Sequence, residues 1–139
     1  MMGNEELPIV QRMYDLIVWY VPVINKFPRS HKYVLGERMQ TTLYSVLEGL
    51  VVARFRRSKL EILEQLNARL NVLRYQTRLC RQFELIDTRR YEHASRLTDA
   101  VGQELGGWIK QRRTVESAAV PATPIWSAAA ATPLSLGGD

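Results

Sequence analysis

The side chains best suited to chemistry in this chain are arginines grouped at helical spacing. Arg74, Arg78 and Arg81 recur at i, i+4 and i+7, so a helix would present them as one cationic strip. Arg78 and Arg81 have no acidic residue four positions away on that helix, which predicts an unneutralised strip. Tyr75 lies beside it, and a tyrosine ring can stack on a base. Because guanidinium forks match phosphate geometry, the spacing predicts a phosphate-contacting strip.

Two further basic clusters fall where the chain is expected to turn between helices. The first comprises Arg54, Arg56, Arg57 and Lys59, and the second comprises Lys26, Arg29 and Lys32. We expect the first cluster to contact phosphate or a polymerase together with the strip. Successive corners of a bundle lie at opposite ends, so the two clusters cannot form one continuous patch in a monomer. The alternative is that all of them are solvated helix surface, with Glu61, Glu64 and Glu84 as partial partners.

The sequence holds no arrangement typical of catalysis or metal binding. His31 and His93 lack partners at ligand spacing, and the Glu-x-x-His pairs of di-iron bundles do not occur. Cys80, the single cysteine, lies on an apolar stripe, where a small buried hydrophobe is expected. Phosphate loops and the GxSxG and HExxH motifs do not occur either. We therefore expect a non-enzymatic protein without a cofactor and without catalytic or metal-binding residues.

Four apolar repeats of helical period must position the basic clusters. The third is the most regular, with a 3-4-3-4-3 spacing through Leu63, Leu66, Leu70, Leu73, Thr77 and Cys80. The others run from Ile9 to Phe27, from Met39 to Ala53 and from Ala94 to Trp108. Short corners at residues 26–32, 54–59 and 86–88 separate them, with Ser30 and Ser58 as expected caps of the second and third helices. This pattern predicts an all-α chain, an antiparallel up-down-up-down four-helix bundle.

Three glycines interrupt the fourth helix, and each costs up to about 1 kcal/mol of helix propensity. Gly102, Gly106 and Gly107, followed by Trp108, are therefore expected to serve close packing between helices.

Charge and composition divide the 139 residues into a basic body and a nearly uncharged tail. All 19 basic residues, 15 of them Arg, lie at or before Arg113, against 12 of the 14 acids. Residues 114–139 are rich in Ala, Pro, Ser and Thr. We predict a bundle over residues 1–113 and a low-complexity, disordered tail over 114–139. With one cysteine and no apolar run long enough to cross a bilayer, a cytoplasmic protein is expected.

Several segments resemble one known family of four-helix bundles. They are LPIV (7–10), YDLI (14–17), KFPR (26–29), YVLGER (33–38), LNVLRYQTRL (70–79) and VGQELGGWIK (101–110). The resemblance, over about residues 9–113, is to the accessory variability determinant proteins of diversity-generating retroelements. Proteins encoded by intervening sequences of ribosomal-RNA genes form a second branch of this family.

The resemblance to the accessory branch implies a homopentamer that binds RNA or DNA and the reverse transcriptase during mutagenic retrohoming. By position, Arg74 and Arg78 match the family's paired arginines on the third helix. Gly102, Gly106, Gly107 and Trp108 match its fourth-helix motif, which is interpreted as structural. The basic body favours this branch. The alternative is a structural, oligomeric scaffold of the intervening-sequence type with protein partners only.

Overall fold

The computed structural model describes residues 7–119, which form four long helices. These are α1 (Leu7–Asn25), α2 (Glu37–Arg54), α3 (Leu60–Gln82) and α4 (Thr88–Ala119). No β-strand occurs in this part of the chain, so the predicted all-α class is confirmed for it. None of the helices within residues 7–119 is both long enough and apolar enough to cross a bilayer.

The predicted apolar stripes form one shared core. All six positions of the α3 stripe are buried, from Leu63 to Cys80, and so are the five α2 positions from Met39 to Ala53. α1 packs against α2 and α4, and α3 packs against the same two helices. Each long helix therefore has two neighbours, and the four stripes meet at the centre.

A polar pair lies inside this core, where α1 and α3 meet. The Tyr20 hydroxyl is fully buried and hydrogen bonds to Thr77 Oγ1. Thr77 Oγ1 in turn donates to the Leu73 carbonyl at 2.9 Å. Because each polar atom has a partner, the pair can be buried without an unmade hydrogen bond. Burial raises the pKa of the Tyr20 hydroxyl, so this tyrosine stays neutral.

The first corner is shorter than predicted. Only residues 26–28 separate α1 from a helical turn, Arg29–His31, that leads through a π-helix, Lys32–Gly36, into α2. Ser30 is therefore inside the helical turn and makes no capping bond. The π-helix brings Gly36 against α1, where a Cβ would lie 2.8 Å from Ile24 Cγ2. A glycine is needed here because of that close approach.

The last helix is longer than predicted. α4 continues six residues beyond Arg113, to Ala119. Residues 114–119, predicted to belong to the low-complexity tail, are thus helical. The rest of that segment, residues 120–139, lies outside the described residues.

The glycines of α4 differ in their surroundings. A Cβ on Gly102 would lie 2.5 Å from Arg74 Nη2, so this glycine leaves room for an α3 side chain. Gly106 and Gly107 are exposed, and a Cβ on either would meet no heavy atom within 4 Å. The expected packing role is therefore wrong for these two within a single chain. Trp108 packs against the core from the half-buried side of the helix.

We predict opposite effects for two glycine-to-alanine substitutions. Gly106→Ala should raise the free energy of unfolding by about 0.5–1 kcal/mol, since it gains helix propensity in open space. Gly49→Ala on α2 should lower it, because the new Cβ would lie 2.4 Å from Cδ2 of the buried Leu66. Urea denaturation of both variants measures the two changes. Shifts of the same sign would contradict this description of the packing.

Candidate nucleic-acid interface

The predicted arginine strip lies along the groove between α3 and α4. Arg74 and Arg78 border a cavity of about 190 Å³, and Arg78 and Arg81 border a second of about 600 Å³. Tyr91 of α4 lines both cavities together with Arg78. The three arginines therefore share one surface, as their spacing predicted, and α4 supplies its opposite wall.

Each arginine of the strip is held differently. The Arg74 guanidinium donates to Asn71 Oδ1 at 2.7 Å and lies 3.4 Å from Asp99 Oδ1. Arg81 donates to Thr88 Oγ1 at 2.8 Å. Arg78 lies over the exposed Tyr75 ring, 5.3 Å from its centroid, and forms no ion pair with any of residues 7–119. Arg78 and Arg81 are thus the members with free charge.

The groove also holds three carboxylates, two of which come from α4 and lie outside the helix-three pattern. Asp99 pairs with Arg74, and Glu84 and Glu92 line the larger cavity beside Arg78 and Arg81. The prediction that the strip is unneutralised considered only acidic residues on its own helix. Packing against α4 adds Glu92 and Asp99, so the strip faces as many acids as it has arginines. Its local charge is much weaker than the sequence suggested.

The predicted corner cluster between α2 and α3 divides into exposed and buried members. Arg56 and Arg57 are exposed, and Arg54 is half-buried with its guanidinium 5.2 Å from the Phe55 ring centroid. Lys59 is only 8% exposed. Arg56 and Arg57 are therefore the cluster members best placed to reach a phosphate.

Lys59 points inward and closes the end of α2. Its Nζ donates to the carbonyl oxygens of Ala53 at 2.9 Å and Arg54 at 3.2 Å, and it lies 5.5 Å from the Trp108 ring centroid. A cation at the carbonyl end of a helix satisfies unpaired acceptors and complements the helix dipole. The predicted phosphate contact does not fit this position, because reaching solvent would break both hydrogen bonds.

The start of α3 is capped by a side chain from α4. Glu116 Oε2 accepts hydrogen bonds from the backbone N–H groups of Lys59 at 2.9 Å and Leu60 at 3.2 Å. Arg112 pairs with the same oxygen at 3.2 Å. Ser58, the predicted cap, instead donates to Glu116 Oε1 at 3.4 Å. Glu116 lies in the segment that was predicted to be the tail, and no local sequence pattern connects it with α3.

We predict that the Glu116 cap makes folding stability depend on pH. The Lys59 backbone N–H, with help from Arg112 and the Leu60 N–H, lowers the pKa of Glu116 in the folded chain. The stabilisation is therefore present above the ordinary glutamate pKa of about 4.3 and is lost as pH falls through the lowered value. Glu116→Gln should lower stability at pH 7, and its difference from the unsubstituted chain should shrink towards pH 3.

Urea denaturation at several pH values measures this difference. Glu48→Gln, an exposed carboxylate on α2 with no ion pair to residues 7–119, serves as the control. An equal pH response of the two variants would contradict the capping role.

The structure brings together a second set of basic residues that the sequence pattern did not single out. Arg89, Arg90 and Arg96 of α4 lie in one groove with His93 and with Trp19 of α1. The signal was present as an i, i+1, i+7 spacing on the fourth helix, but Trp19 comes from a distant part of the sequence.

His31, in the first corner, stacks on Phe83, with ring centroids 5.2 Å apart. This contact joins the first corner to the end of α3.

The grooves on either side of Arg90 and Tyr91 do not bring described residues together as a catalytic set. No group of three His, Cys, Asp or Glu side chains within that range could hold a metal ion. Cys80 is buried with its Sγ 3.3 Å from Met39 Sδ, and burial raises the pKa of the thiol to about 12. A thiol in that state is a weak nucleophile at neutral pH. The exposed arginines and tyrosines of this surface can bind anions and aromatic rings.

Comparison with known proteins agrees with the segments that suggested a family. The chain has no match among curated proteins. A family model described as bAvd-like matches residues 7–112, which include all four buried stripes and the arginine strip. The match spans most of the 139 residues and confirms the resemblance to accessory variability proteins, so the chain belongs to the bAvd-like family.

Proposed function

We propose that this chain is a non-enzymatic accessory protein of a diversity-generating retroelement. In this role it binds RNA or DNA through its basic surface and associates with the reverse transcriptase during mutagenic retrohoming, in the cytoplasm. Family membership supports the retroelement and polymerase parts of the proposal. Nucleic-acid binding is inferred from one observation, which is the surplus of basic over acidic side chains on a bundle whose interior is apolar.

The surplus is large and confined to the surface. Residues 7–119 contain 19 basic side chains and 11 acids, a net charge of +8. Lys59 is the one basic side chain of this range that is buried. The others surround the bundle, and exposed ion pairs such as Arg113–Glu64 contribute little to stability. Such a field attracts the phosphate backbone without regard to sequence.

We also propose that the four helices run up-down-up-down. The supporting contacts join opposite ends of helices that pack against each other. Arg12 near the start of α1 pairs with Glu104 in the second half of α4, whereas Trp19 near the end of α1 lies against His93 near the start of α4. The same arrangement relates α2 and α3, where Met39 meets Cys80. In this topology the strip and the first corner share one end of the bundle.

Self-association, expected to give a homopentamer, is the second part of the proposal. Two apolar stripes remain on the outer faces of adjacent helices. They comprise Tyr44, Val51 and Val52 on α2 with Phe55 directly after it, and Val72, Tyr75 and Leu79 on α3 with Phe83 directly after it. Phe55 is 77% exposed. Exposed apolar side chains aligned along helix faces are typical of protein interfaces. Symmetry would repeat each basic cluster around the assembly.

The rival function is a structural scaffold with protein partners only, as in the intervening-sequence branch. It shares the fold, the family segments and the apolar stripes. The two proposals differ in one measurable property, which is affinity for nucleic acid.

Nucleic-acid binding by the strip is tested with Arg78→Ala/Arg81→Ala. We avoid Arg74 because its removal would leave Asp99 without its partner. The affinity for a structured RNA should fall, and the slope of log K against log salt should become shallower by about two, because each missing arginine leaves one phosphate unneutralised. Arg38→Ala/Arg69→Ala removes the same charge from exposed sites outside these grooves. Equal effects of the two pairs would contradict a specific role for the strip.

Self-association is tested by sedimentation of the full chain at micromolar concentration. We expect an oligomer that Val72→Asp/Leu79→Asp dissociates, because a charge in the α3 stripe would oppose burial of that face. Circular dichroism should show unchanged helix content, since both side chains are exposed in the single chain. A monomeric unsubstituted chain would contradict the proposal.

A further inference from the structure

The groove between the end of α1 and the start of α4 has the composition of a ligand site. Its cavity is about 410 Å³ and is lined by Trp19, Asp87, Arg89, Arg90, His93 and Arg96. This volume falls within the range of roughly 300–1,000 Å³ usual for small-molecule sites. The groove is separate from the cavities that hold the strip, since none of its lining residues is shared with them.

Cations dominate this groove. Three guanidinium groups face a single carboxylate, that of Asp87. Both carboxylate oxygens of Asp87 already contact Arg90 at the start of α4. Oδ1 accepts the Arg90 backbone N–H at 2.8 Å, and Oδ2 lies 3.5 Å from Arg90 Nη1. Arg89 and Arg96 are exposed and form no ion pair with any of residues 7–119. The N-terminal end of α4 adds its own positive potential, so an anion is favoured here.

An aromatic surface lies beside these charges. The rings of Trp19 and His93 have centroids 5.1 Å apart and are inclined at 52°. The ring centroids of Trp19 and the buried Tyr20 lie 5.0 Å apart at an interplanar angle of 75°, and Trp19 packs against the core. A half-buried indole held in this way has little side-chain entropy to lose on binding. Aromatic rings stack on bases of any sequence.

The groove continues towards the first corner. A smaller cavity of about 180 Å³ is lined by Pro22, Val23, Lys26, Leu85 and Arg90. Arg90 borders both cavities, and Lys26 supplies a further cation. A chain of two or three nucleotides could therefore follow this path with a cation near each phosphate.

We propose that this groove binds an unpaired nucleotide of a single-stranded nucleic acid, with its base on Trp19 and its phosphates at Arg89 and Arg96. The inference rests on the proposed function and adds to it a second site with a defined class of ligand. A duplex cannot use the site, because its bases are already stacked on one another. The strip contacts backbone phosphates of any form, whereas this groove requires a free base.

The test compares binding of a fluorescently labelled, unstructured pentanucleotide and of a DNA duplex to the full chain. Arg89→Ala/Arg96→Ala should weaken pentanucleotide binding about tenfold and change duplex binding no more than the charge-matched Arg38→Ala/Arg69→Ala. A second readout uses the Trp108→Phe/Trp126→Phe chain, in which Trp19 is the only tryptophan. Saturating pentanucleotide should quench its fluorescence through stacking.

Two results would overturn the proposal. One is equal weakening of pentanucleotide binding by the groove pair and the control pair. The other is Trp19 fluorescence that does not change at saturation. If duplex binding persists in either case, the proposed function stands and only this site is rejected. If the unsubstituted chain binds neither probe at low salt, the proposed function fails as well.

Discussion

Burial of one apolar stripe from each helix is the constraint on which the rest of this structure depends. A bundle of this length has a single core, and the apolar stripes of all four helices contribute to it. Charged side chains are therefore displaced to the outside, and the chain has far more cations than acids to place there. The basic surface is thus a direct consequence of how the core is filled, whichever ligand it serves.

One end of the bundle relies on long-range polar contacts, whereas the start of α4 at the other end has a local cap, since Asp87 Oδ1 accepts the Arg90 backbone N–H. At one end, Lys59 closes α2 while its backbone N–H is bound by Glu116 of α4. One corner residue thereby joins the termini of three helices. Lys59 and Glu116 therefore have structural roles. Arg56 and Arg57 are the exposed charged residues of that corner.

The sequence predicted the helices and the core well because both follow a short-range period. The α3 stripe from Leu63 to Cys80 is buried residue by residue as its spacing required. Prediction failed where a residue's role depends on a distant partner. Neither the inward turn of Lys59 nor the cap formed by Glu116 has a local pattern. Two of the three carboxylates beside the arginine strip, Glu92 and Asp99, come from α4, and Trp19 meets the arginines of α4 only after the chain folds.

The two grooves beside α4 therefore differ in the balance of basic and acidic side chains, which the sequence of a single helix does not reveal. One balances three arginines with three acids, and the other has three arginines against one acid that is already engaged. The surplus of charge is therefore unevenly distributed, and the α1–α4 side is the more attractive to anions. This distribution is compatible with a protein that holds single-stranded and structured regions of one nucleic acid at once.

Binding of nucleic acid to this surface is proposed to depend on its charge. The most direct measurement is the affinity of the full chain for a structured RNA between about 50 mM and 200 mM salt. We predict that log K falls linearly with log salt, with a slope of several units that reflects the number of phosphates neutralised. Affinity that does not change with salt, or no binding at the lowest salt, would contradict it and favour a scaffold with protein partners.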